Sequence, residues 1–245
     1  MIGELMAGLG CRAAGRGDSV KGGGRGRVGV AFWWMIYADR TSAGRALGTR
    51  LERLRAADPL LLGLPRGGVP VAAAVRDVIG GDLDILLVRK LGVPWQPELA
   101  MGAIGEDGVR VLNGDVLAHL GISPQEFAEI EDLERAELIR RRTVWRGDAK
   151  PLPLDGRSVI IVDDGMATGA TVVVACRVAR LHHPAQLVVA VPVSSAEALR
   201  RVAAEADQVF CPLVPHTLGG VGTAYEDFHQ LDDTEVTALL VHPNE

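Results

Sequence analysis

Two rhythms of apolar residues alternate along most of this chain. Short continuous apolar runs at 59–64 (PLLLGL), 84–88 (DILLV), 158–163, 186–193 and near 208–213 read as buried strands. Between them the spacing becomes helical: Ala43, Leu47, Leu51 and Leu54 form one stripe over 42–57, which Pro59 ends. Val71, Val75 and Val78 form another over 69–79, and further helices are predicted at 170–181, 195–206 and 233–241. Ser123-Pro124-Gln125-Glu126 is a capping box with proline at the first helical position, opening a helix to about Trp145. Its Glu131/Arg135 and Glu137/Arg141 pairs mark a mostly solvated face. Residues 92–115 mix Pro and Gly with two strand-like pieces, MGAI and VRVL, around a Glu-Asp-Gly turn.

Uniformly apolar strands alternating with helices imply an α/β fold: a doubly wound, mostly parallel sheet with helices on both faces. Right-handed crossovers put the strand-to-helix loops on one edge, where ligands of such folds bind. Chemistry is therefore expected at 65–68, 89–98, 163–171 and 192–195.

Composition narrows the class. The chain has 245 residues, 48% hydrophobic and 23% charged, which suits a folded globular protein. No apolar run approaches the roughly 20 residues that span a bilayer. The first 29 residues hold ten glycines and no sustained period, so 1–34 is expected to be a disordered Gly/Arg-rich extension. VGVAFWWMI (28–36) superficially resembles a secretory signal but is short and has no small-residue cleavage pattern, and Met35 offers an alternative start. Residues 35–245 form the expected domain. Net charge is −5, with the basic excess confined to the first 35 residues. An acidic body argues against nucleic acid as a partner. Cys11, Cys176 and Cys211 show no CxxC pairing, which fits a reducing, cytoplasmic setting without a disulfide framework or zinc site.

The sharpest chemical signal is VIIVDDGMATGAT (159–171), where a buried strand ends in Asp163-Asp164 and a helix opens near Ala170. Gly165, Met166, Ala167, Thr168, Gly169, Ala170 and Thr171 build a turn of small and hydroxyl residues. Backbone amides at a helix N-terminus form an anion site suited to a phosphate monoester. The preceding carboxylates suit the vicinal hydroxyls of a sugar, or a divalent ion beside it. A Walker A loop needs Lys where Ala170 stands, and a dinucleotide GxGxxG needs another glycine spacing than Gly165 and Gly169 provide.

With these residues the segment resembles the phosphoribosyl-pyrophosphate (PRPP) motif of the type I phosphoribosyltransferases, departing at Gly165, where many members carry an aliphatic residue. PRGG (65–68) is similar to the family's pyrophosphate loop, which often contains a strained peptide. Gly67 and Gly68 would bring backbone amides to an anion, and Arg66 a charge. Arg89-Lys90 looks like the basic pair that meets pyrophosphate, and 92–115 occupies the place of the mobile catalytic loop, with Glu98 and Glu106 as candidate contacts to Mg²⁺ or substrate. The alternatives are an ordinary turn, a solvated strand end and solvated loop carboxylates.

The resemblance implies a Mg²⁺-dependent transferase that moves ribose 5-phosphate from PRPP to a small nitrogenous-base acceptor and releases pyrophosphate. Asp163 and Asp164 would fix the ribose and meet Mg²⁺, directly or through water. Arg66, Lys90 and the loop amides would stabilise the departing charge. It also implies a homodimer, a place in nucleotide metabolism and a small hood over the acceptor, drawn from 36–41, 92–115 or 215–230. In the last of these, Tyr225 and Phe228 fit either core packing or stacking on a base, and His216 and His229 are candidate proton acceptors. His182-His183 reads as a helix C-cap. The competing class is a PRPP-sensing regulator that keeps the site but not the turnover.

Overall fold

The computed structural model describes residues 37–240, without the side chains of Pro97, Glu98 and Asp107. The expected extension, 1–34, lies outside them. Helix α1 (Arg40–Leu51) opens on a reciprocal cap in which the Ser42 amide donates to Asp39 Oδ1 (2.6 Å) and the Asp39 amide to Ser42 Oγ (3.0 Å). It tightens into a 3₁₀ segment, Glu52–Ala57, and stops at Asp58, whose φ of 45° is left-handed. Strand β1 (Leu60–Gly63), helix α2 (Gly68–Ile79) and strand β2 (Asp82–Ile85) follow. Next come β3 (Val88–Val93), β4 (Gln96–Gly105), β5 (Arg110–Leu112), α3 (Gly114–Leu120) and α4 (Pro124–Trp145). The chain continues through β6 (Ser158–Val162), α5 (Ala170–Arg180), β7 (Gln186–Ala190), α6 (Ala196–Val202), β8 (Gln208–Phe210) and α7 (Asp233–Leu240).

Five strands pair in the order β2-β1-β6-β7-β8, all parallel. Alternate residues serve opposite faces, as the pleat requires. Leu60, Leu62, Val159 and Ile161 pack with Val172, Cys176 and Val178 of α5, whereas Leu61, Ile160 and Val162 pack with Leu47 of α1 and Val71 and Val75 of α2. Full burial of each Leu or Ile is worth about 1.5–3 kcal/mol. This is the doubly wound α/β sheet that the apolar rhythm implies.

Two expectations are corrected. The run at 84–88 is not one strand: β2 ends at Ile85, and β3 starts at Val88 in a separate antiparallel sheet ordered β3-β4-β5. A continuous apolar run carries no periodicity that could locate such a break. Nor is 92–115 only a loop: its strand-like pieces MGAI and VRVL pair in β4 and β5 around the turn at Glu106–Gly108. Met101 and Ile104 of β4 are fully buried and pack with Leu91, Phe127 of α4 and Val236 of α7. On another side Gly105 lies so close to Val178 of α5 that a Cβ there would sit 2.8 Å from its methyl. Helix α3 was not expected; its Val116, Leu117 and Leu120 pack against the cluster of Met101 and Phe127, though none of its residues is fully buried.

Candidate active site

The loops after β1, β6 and β7 emerge on one edge of the parallel sheet. The first, Pro65–Gly67, leaves β1 through a Leu64 amide that donates to the Val162 carbonyl (2.8 Å), so it starts stitched to the end of β6. The Pro65–Arg66 peptide is cis. A Cβ on Gly67 would overlap the Asp164 carboxylate, and one on Gly68 would meet the Val162 carbonyl and come within 2.9 Å of Asp163 Cα. Both glycines are therefore required by close approach to the acid pair. The Gly68 amide is not aimed at a ligand as expected: it donates to the Leu64 carbonyl (2.9 Å).

The second loop carries the acids. The Asp164 amide donates to Asp163 Oδ1 (2.9 Å), and part of Asp163 stays open to solvent. Surrounding protein and the neighbouring Asp164 charge raise the Asp163 carboxyl well above the usual range. Asp164 is raised less plainly: burial pushes it up, but Arg40, donating from Nε to Oδ2 at 2.9 Å, pulls it back. Beyond the acids, Met166 is held on both sides, its amide donating to the Val193 carbonyl and its carbonyl accepting from the Ser195 amide. The Ser195 hydroxyl donates to the Ala167 carbonyl (2.8 Å). These bonds fix the turn and leave Ala167, Thr168 and Thr171 exposed. Gly169 caps α5 with φ 73° and no side-chain cap bond of its own, and the first-turn amide of Ala170 donates to Thr168 Oγ1 (3.4 Å). The departure at Gly165 has a packing reason: Val221 and Val193 methyls stand 2.6 and 2.8 Å from where its Cβ would be.

A cleft of about 530 Å³ opens beside the first loop, lined by Arg40, Arg66, Gly67, Arg141, Phe228 and His229, among others. Arg66 pairs with Asp233 (Nε to Oδ1, 3.2 Å) and donates to the Leu231 carbonyl (3.0 Å). Arg40 and Phe228–Leu231 form a second wall, and the segments before each are joined behind it. Tyr37 and Tyr225 form a parallel bridge, and the Tyr225 hydroxyl donates to the Asp164 carbonyl (2.5 Å). Phe228 stacks on Tyr225 with centroids 5.0 Å apart, so core packing and surface exposure are combined in one aromatic pair. Burial holds the Tyr37 phenol up at about 12.

The expected basic pair sits differently. Arg89 and Lys90 lie within β3, facing Ile104 and Ala103 across the antiparallel ladder, and Arg89 Nε donates to Glu134 of α4 (2.6 Å). Glu106 is gripped by Arg146 at 3.0 and 3.1 Å, and the same guanidinium holds Asp84 at 2.6 Å; this buried cluster ties α4 to β2. Glu98 lies outside the described side chains. His229 is exposed and bridges Asp227 and Glu235, which raise its pKa, Glu235 contributing most. His216 is exposed, and His183 takes a left-handed φ of 51° just past α5. No helix among the described residues is long and apolar enough to cross a membrane.

Sequence reasoning missed Arg40. It is 9% exposed and opens a helix that has no acidic residue in its first turn. A cation at the positive end of a helix is disfavoured, and that mismatch was a readable sign of a tertiary partner.

Residues 40–227 match the family model of the phosphoribosyl transferase domain. Two Mycobacterium tuberculosis proteins that carry provisional phosphoribosyl transferase names are 47% identical over 205 residues, 84% of this chain. The chain spans under half the length of these curated relatives, 46%. Among solved structures, TT1426 from Thermus thermophilus is 42% identical with a TM-score of 0.74, covering 84% of this chain and 98% of its own.

Proposed function

This chain belongs to the phosphoribosyl transferase family, and we propose that it transfers ribose 5-phosphate from PRPP to a nitrogenous-base acceptor, with release of pyrophosphate. One observation carries the reading: the Gly67-Gly68 loop is packed directly on the Asp163-Asp164 loop, beside a helix start without a side-chain cap. The 5′-phosphate meets the amides and hydroxyls of 167–171, where the α5 dipole favours negative charge. Asp163, part of which is open to solvent, accepts from the ribose hydroxyls.

Transfer breaks the C1–O bond, whose electron pair leaves with pyrophosphate, while the acceptor nitrogen supplies the pair that forms the new bond at C1. The side chain of Arg66, once it exchanges Asp233 for pyrophosphate, and the amide of Gly67 meet the departing charge; of the β3 pair, whose side chains leave opposite faces, Lys90 joins them while Arg89 stays with Glu134. Such contacts are each worth about 3–4 kcal/mol in the transition state. The Tyr225–Phe228 stack, with its polar neighbours, supplies the hood.

Among the described residues no group of three or more His, Cys, Asp or Glu gathers as a metal cage. Two carboxylates alone fit Mg²⁺, which keeps waters and takes substrate phosphate oxygens as ligands. Asp163 would hold it, directly or through water, with Asp164, whose Oδ2 already accepts from Arg40, as the lesser ligand. When bound, it neutralises charge building on pyrophosphate. The test is pyrophosphate release from PRPP and Mg²⁺ across purine, pyrimidine and pyridine bases. Release with one base supports transfer; PRPP binding without release across the panel favours the sensor; no PRPP binding refutes both.

A further inference from the structure

Arg40 touches three parts of the site at once. Its Nε donates to Asp164 Oδ2 (2.9 Å), its Nη1 donates to the His229 carbonyl (2.9 Å), and its guanidinium carbon lies 3.9 Å from the Phe228 ring centroid. Both partners of the ion pair are largely buried, with side chains 10% and 14% exposed. The Gly67 backbone stands against the same carboxylate, nearest to Oδ2, the oxygen that accepts from Arg40. Asp164 thus meets a guanidinium and a glycine together, while its carbonyl accepts from Tyr225. Asp163 differs in its partners and not in its exposure: its carboxylate accepts from the Asp164 amide (2.9 Å), and both acids are partly buried.

We infer that Arg40 is a positioning residue that joins the Phe228–His229 wall to Asp164, and that Asp164 orients the PRPP-binding loops while Asp163 is the acid that grips the sugar. The inference rests on the PRPP reading of the site. Its chemistry is particular to arginine: only a planar, forked cation donates along two directions in its plane while stacking a face on an aromatic ring. Lysine can restore the charge beside Asp164 but not the fork and the stack together. The two acids therefore have unequal roles although they are adjacent and identical in type.

The experiment is a double-mutant cycle on the full chain, reading Mg²⁺–PRPP affinity by calorimetry for the unaltered protein, Arg40→Met, Asp164→Asn and the combined variant. Because Arg40 acts through Asp164, Arg40→Met is expected to weaken binding about tenfold, and the combined variant to bind no worse than Asp164→Asn alone. Arg40→Lys should recover part of the loss. Additive losses, or unchanged affinity in Arg40→Met, overturn the inference. A second measurement needs no ligand: amide hydrogen exchange over 225–231 should rise in Arg40→Met relative to the unaltered protein, and equal exchange overturns the link to the wall. An unaltered chain that fails to bind PRPP refutes the reading of the site. One that binds while Arg40→Met matches it refutes only the role given to Arg40.

Discussion

The backbone of Gly67 and the carboxylate of Asp164 are in contact, with no room for a side chain between them. Two loops that are far apart in sequence are thereby locked into one surface. Gly67→Ala should force them apart, and overpacking of this kind costs about 1–3 kcal/mol. Urea unfolding should show that loss, and calorimetry should show PRPP affinity falling further than stability alone explains.

Charge at the end of β6 is the second test. Asp163→Asn combined with Asp164→Asn is expected to abolish pyrophosphate release while leaving the circular dichroism spectrum unchanged. Activity equal to the unaltered protein would remove the acid pair from the mechanism.

The Arg146 cluster concerns stability. Its guanidinium side chain is 4% exposed and bridges Asp84 and Glu106. Arg146→Met leaves two carboxylates buried near each other and should cost about 3–5 kcal/mol in chemical denaturation. Adding Asp84→Asn and Glu106→Gln should return much of that, since neutral amides lack the repulsion.

Acid titration provides a check on α4. Hydrogen bonds from Arg140 and then Arg141 lower the Glu137 carboxyl to about 2. A depressed carboxylate stabilises the fold above its unfolded value and loses that contribution as pH falls through the folded one. The stability gap between the unaltered protein and Glu137→Gln should therefore be present at pH 6 and close between the ordinary carboxylate range and pH 2. Solvent screening keeps the gap small, and high salt should shrink it.

Removal of residues 1–34 tests the division of the chain. PRPP affinity should stay within about twofold, because every residue assigned to the site lies at Arg40 or beyond. Loss of a nucleic-acid complex on the same truncation, with no turnover by either form, would favour the sensor.

The parallel sheet was legible because its strands are uniformly apolar and its turns are marked by Pro59, Gly67 and Gly169. The acid pair and the phosphate turn were legible because their chemistry is local, compressed into 163–171. Of the antiparallel sheet, the MGAI and VRVL pieces around the Glu-Asp-Gly turn were legible and pair as β4 and β5, but β3 was not: Leu86 and Leu87 continue an apolar run across the point where the chain changes sheets. Arg89 illustrates a different difficulty, since its partner Glu134 is 45 residues away and nothing in either segment specifies the pair. Arg40 carried a local clue in its unfavourable place on the helix dipole, but the clue names no partner.

Helix α5 starts at the exposed Ala167–Thr168 turn and buries Val172, Val174, Ala175, Cys176, Val178 and Ala179 along its length. Occupancy at one end is therefore transmitted to the melting of the whole molecule, since a compound that seats there favours the folded form by mass action. Candidate acceptors can then be ranked by the extra heat resistance they confer on the PRPP-loaded protein, before any product is known to look for.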